Sequence, residues 1–141
     1  MAKIGSGNET KRGVMKRDPD KVKAIKEVRE RVQRNLGEAR QARSQSDWDQ
    51  CWGLLEDAHV LSQPWALVHI RVHASMFAAA VTERSPREIT GQLLRLIAAG
   101  PASMTRYPIG NSGRAAVSAT QPMPIRADLA VMLERAGERS Q

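Results

Sequence analysis

The pattern of apolar and polar positions is helical in successive segments from residue 18 to about residue 99, and again from Ala127. Asp18, Pro19 and Asp20 supply an N-cap, a first-turn proline and an acid that matches the helix dipole, and they open a helix predicted to run to about Arg43. Val22, Ile25, Val28, Val32, Leu36 and Ala39 fall within an arc of roughly 120°, the width of a core-facing stripe, while Lys23, Lys26, Arg31 and Arg34 point elsewhere. A second helix is predicted over Ser46 to Leu61, with Ser46 as cap, Asp49 completing a capping box, and Trp48, Trp52 and Leu55 at helical spacing. Pro64 then stands where a third helix would begin, through PWALVHIRVHASMFAAAV.

Ser85, Pro86 and Glu88 form a cap, a first-turn proline and a capping-box acid for a fourth helix, whose expected buried set is Ile89, Leu93, Leu96 and Ile97. Gly100 and Pro101 stop it, and the segment to Pro124 has no sustained periodicity, so it reads as a long ordered loop. A last helix from Ala127 to about Ala136 offers Leu129, Met132 and Leu133 to the core. The fold class is therefore all-α: a four-helix bundle-like domain over residues 18–141, with a long Gly/Pro-rich loop before the last helix. Residues 1–17 carry glycines, polar groups and cations with almost nothing to bury, and are expected to be a flexible basic tail.

Charge changes this picture, because it is confined to one end. Residues 1–45 hold thirteen Lys and Arg against six Asp and Glu, whereas the rest is balanced at nine against nine. A phosphate backbone is the natural partner for such a segment, which makes Lys11, Arg12, Lys16, Arg17, Lys23, Lys26, Arg31 and Arg34 candidate contacts to RNA or the ribosome. A solvated helix face with internal pairs through Glu27 and Glu30 is the alternative. No aromatic residue lies there to stack on bases, which argues against sequence-specific single-strand recognition.

The chemistry concentrates elsewhere. All three histidines, His59, His69 and His73, lie within fifteen residues, with Glu56 one turn before the first. Glu56 and His59 share one face of the second helix, and His69 and His73 one face of the third. Only Ser62 and Gln63 separate the helices, so the two should fold back as an antiparallel hairpin and bring the four side chains together. Imidazoles and a carboxylate without sulfur favour zinc, with other divalent transition metals possible. Glu56, His59, His69 and His73 are thus the expected ligands, and Cys51, Met76 and Glu88 the additional candidates. Cys51 points well over 90° away from Glu56 and His59, and Met76 matters only if the ion is copper(I). A buried polar network of the same residues is the competing reading. Gly110, Asn111, Ser112 and Gly113 read as a backbone turn, since no strand before them or P-loop lysine after them supports a phosphate cradle.

A single cysteine excludes an internal disulfide and suits a reducing cytoplasm. With no apolar run of about 18 residues and no signal-peptide core, the protein is expected to be soluble, cytoplasmic and without a membrane partner.

The strings CWGLLEDAHVLSQPWALVHIRVHASM, REITGQLLRL, YPIGNSGRAAVS and PMPIRADL resemble a family of small uncharacterised bacterial proteins. Its pattern is W-x-x-L-E-x-A-H-x-x-x-Q, H-x-x-x-H-x-x-M, E-x-x-G-Q, P-x-G-N-[ST]-G and P-M-P-x-x-x-D-L, and the resemblance runs from about Val32 to Leu133. It places Glu56, His59, Gln63, His69, His73, Met76, Glu88, Gln92, Gly110, Asn111, Gly113 and Asp128 at family positions. One member type similar in layout recruits a hibernation-promoting protein to ribosomes in zinc-starved bacteria. The resemblance thus implies a zinc-responsive, ribosome-associated accessory protein, with a hibernation factor as partner. A metal-dependent enzyme, or a buffer or carrier of a metal-resistance pathway, would use the same cluster.

Overall fold

The computed structural model describes residues 18–98 and 108–140, and among these it holds five helices and no strand. They are α1 (Pro19–Ser44), α2 (Trp48–Ser62), α3 (Ala66–Glu83), α4 (Pro86–Ala98) and α5 (Ala127–Arg135). The expected basic tail, with Lys11, Arg12, Lys16 and Arg17, lies outside the described residues, as do Gly100 and Pro101.

Helix α1 begins as its sequence requires, with the Asp18 carboxylate accepting from the Asp20 amide and Pro19 in the first turn. Its buried stripe is Ala24, Val28, Val32, Ala39 and Ala42, and Val22 at the N-terminal end is left exposed. Asn35 interrupts the stripe without penalty, because it donates to the Leu54 carbonyl on α2 and accepts from Arg31 Nε.

Two predicted helix starts shift. Ser46 is not the cap of α2: it has φ +58° and belongs to the turn that ends α1, its amide bonded to the Arg43 carbonyl, while the Asp47 carboxylate caps α2 by accepting from the Gln50 amide. Pro64 likewise lies before α3 rather than in its first turn. Trp65, with an extended backbone, takes the N-cap position, and the tight reversal is closed by the Trp65 amide on the Ser62 carbonyl.

The core runs between α1, α2, α3 and α5, and its largest fully buried side chains are Leu55, Leu61, Met76 and Leu133. Helix α4 departs from its expected orientation. Leu93 and Ile97, predicted inside, are 47% and 71% exposed, whereas Glu88 and Gln92 are buried. This inward polar face receives the chain after Pro108. Gln63 spans the loop at its start, donating to the Pro108 carbonyl and accepting from the Gly110 amide, and Arg95 donates to the Arg114 and Val117 carbonyls. A loop without periodicity is thus fixed by side chains reaching its backbone, which satisfies polar groups that a strand or helix would otherwise pair.

Candidate metal centre

The α2–α3 hairpin brings the three histidines together. Their ring centroids are 4.5, 4.8 and 4.7 Å apart for the pairs His59–His69, His59–His73 and His69–His73, and one ligand atom from each lies within 4.8 Å of the others. Among the described residues these three form the one group of donor atoms close enough to share an ion. His59 and His73 are 3% exposed and His69 is half-buried.

Each ring has one nitrogen committed. His59 Nδ1 lies 2.7 Å from the Asn111 main-chain oxygen, which can only accept, so Nδ1 carries the proton. His73 Nδ1 lies 2.9 Å from Gln92 Oε1. The orientation of that amide is set because its Nε2 donates to the Gly113 carbonyl at 2.8 Å, so His73 Nδ1 donates as well. His69 Nδ1 lies 2.9 Å from Ser62 Oγ, whose own hydrogen goes to the His59 carbonyl, which again leaves Nδ1 as donor. In all three rings the proton is therefore on Nδ1 and the lone pair on Nε2, the arrangement in which an oxygen behind a ligand histidine orients its ring.

Electrostatics keep these rings neutral. Burial, reinforced by its two neighbours, holds His59 well below the usual imidazole range. Burial and the charge of a protonated His73 push His69 down to about 3, and burial also lowers His73 against the opposing bond from Gln92. Arg95 adds to the effect on all three. A neutral imidazole is the form that binds a metal, so the site is set for one without prior loss of protons.

The loop supplies the site's wall. Gly113 has φ +79°, and a Cβ there would stand 2.7 Å from His59 Nε2, so glycine serves both a left-handed backbone and close approach to the ring. Asn111 holds the turn from within: its Oδ1 accepts from the Gly113 amide and its Nδ2 donates to the Ser118 and Gln121 carbonyls. The expected backbone turn is there, and through Asn111 and Gly113 it also reaches the histidines.

Glu56, expected beside His59, is not in the close group. It meets Arg114 at 3.3 Å, and the Arg114 guanidinium also bonds Glu88 at 2.8 Å and stacks 4.0 Å over the Trp52 ring. Burial raises the Glu56 carboxyl despite this cation. Glu88 does not close a capping box: it accepts from the Ala115 amide and from Arg114, and these bonds outweigh burial and hold its carboxyl below the usual range. Cys51 is buried on another side of α2, beside a cavity of about 190 Å³ lined by Leu36, Ala39 and Ala78, and burial raises its thiol. Met76 is a fully buried core residue. Of the basic candidates, Lys23, Lys26 and Arg34 are exposed on α1, while Arg31 is half-buried against Asn35.

Sequence reasoning left Ser62, Gln92 and the Asn111 carbonyl without a role beside the rings. Gln92 and Asn111 stood at family positions, but a main-chain acceptor leaves no mark in a sequence. No helix among the described residues is long and apolar enough to cross a membrane. No curated protein and no solved structure matches the chain. Residues 26–133, most of its length, match the family described as a protein of unknown function (DUF3703), and the chain belongs to that family.

Proposed function

We propose that His59, His69 and His73 bind a divalent transition metal through Nε2, zinc before others, and that the protein is a metal-binding accessory factor rather than a scaffold with a buried polar network. The observation that carries this reading is the common tautomer. Two buried rings and one half-buried ring, all neutral, each give Nδ1 to an oxygen and keep the lone pair on Nε2, and one nitrogen from each lies within 4.8 Å of the others, so a single ion can be shared by all three. Tetrahedral zinc, with bonds of about 2.0–2.1 Å, needs nitrogens roughly 3.4 Å apart, so rings within 4.8 Å close on it by small rotations. The test is elemental analysis with calorimetric titration of the metal-stripped protein. One equivalent of zinc is expected in the native chain and none in His69→Ala or His73→Ala; equal uptake by all three proteins would remove the site.

The finer part of the proposal joins the metal to the basic first third. A zinc-responsive, ribosome-associated factor that recruits a hibernation protein would use the exposed Lys23, Lys26 and Arg34 on α1, together with the cations before Asp18, against ribosomal RNA. Support comes from the family resemblance and this charge segregation. Zinc would act by binding one conformation more tightly than another, about 1.4 kcal/mol of preference changing the population ratio tenfold. Ribosome sedimentation with and without a zinc chelator tests it, and the same association in both conditions would end the zinc-switch idea.

A further inference from the structure

We infer, building on the metal site proposed above, that the bound ion keeps one exchangeable coordination position whose occupant is a small anion from solution, not a side chain of this protein.

The donor set leads there. Three imidazoles bring no negative charge, so a divalent ion among them keeps its full double charge. Among the described residues no fourth His, Cys, Asp or Glu joins the three. His59, His69 and His73 are the only histidines, Cys51 is the only cysteine and lies against α1 and α3, and outside the described residues Glu9 is the only acidic side chain. The carboxylates closest to His59 in sequence are already engaged, Asp57 with Arg126 and Glu56 with Arg114, and so is Glu88, with Arg114 and the Ala115 amide. Arg95, the charged neighbour felt by all three rings, is a cation and adds to the excess. In a site this enclosed, an uncompensated double charge attracts an anion far more strongly than it would in water.

Size follows from the walls. His59 and His73 are almost sealed, Gly113 presses on the His59 ring, and the half-buried His69 marks the more open side. The ligand class is therefore small inorganic anions, hydroxide among them, and the ion is of the open kind with three protein ligands rather than the closed four-ligand kind.

Cobalt(II) loading of the metal-stripped full chain, with azide as the probe anion, tests this. Expected are the intense visible bands of four-coordinate cobalt, shifted saturably by azide, in the native protein and unchanged in Glu56→Gln. Bands that azide does not move would overturn the inference while leaving the metal site standing. Bands altered by Glu56→Gln and insensitive to azide would overturn it too, by showing Glu56 as the fourth ligand. A spectrum of free aqueous cobalt alone would remove the metal site and the inference with it.

Discussion

At the residue scale the site is a matter of protons. In the metal-free fold the three imidazoles resist protonation, His69 down to about pH 3, whereas in the unfolded chain they titrate near 6.5. Below pH 6.5 the unfolded state therefore binds more protons, so stability present at neutral pH is lost as pH falls, over the window from about 6.5 to 3 for His69. Each ring should remove about 1.4 kcal/mol per pH unit within its window. Urea unfolding after chelator treatment should give a clearly lower midpoint at pH 5.5 than at 7.5, and equal midpoints would mean that the rings are not held neutral. Gly113 bears a steric demand of the same local kind. Gly113→Ala puts a methyl against His59 and a left-handed φ on alanine, so a loss of about 2 kcal/mol or more in unfolding free energy is expected, with weaker zinc binding.

At the scale of elements, what could be read from the chain depended on how local the cause was. The α1 cap at Asp18 and the hairpin that gathers the histidines were legible because caps and helical spacing act within a few residues. Glu56 was misplaced because its partner, Arg114, lies 58 residues away on a loop that has no period. Helix α4 was turned the wrong way for the same reason: Leu93 and Ile97 look like a core stripe until the loop that needs Glu88, Gln92 and Arg95 is present. Gln92 joins these distant elements, accepting from His73 and donating to Gly113. Gln92→Ala should free both, weakening zinc binding roughly 10–100-fold and speeding hydrogen exchange at the amides of residues 110–115, as orienting groups behind a metal ligand do. Weaker binding without faster exchange would confine Gln92 to its histidine and detach the loop from the site.

For the whole molecule, the three histidines and the oxygens behind them come from α2, α3, α4 and the loop, so an ion would tie together segments separated by up to 52 residues. The apolar core runs through α1, α2, α3 and α5 without drawing on the three imidazoles, so the fold is expected to form without the metal. Binding to a preformed site of this kind adds its free energy to a body that is already folded. At a free zinc concentration a thousandfold above the dissociation constant the gain is about 4 kcal/mol, or roughly 10 °C in melting temperature for a chain of this size. A zinc finger-like protein would instead be unfolded until loaded. Calorimetric melting separates the two: a cooperative transition in chelator, raised by zinc and unraised in His73→Ala, is expected, whereas a chelated chain with no transition would place the metal among the determinants of the fold. Leu133→Ala, which opens a core cavity on α5, the helix that supplies neither a histidine nor an oxygen behind one, should lower both melting temperatures by a similar amount, about 2–5 kcal/mol in stability, and leave the zinc-induced difference intact.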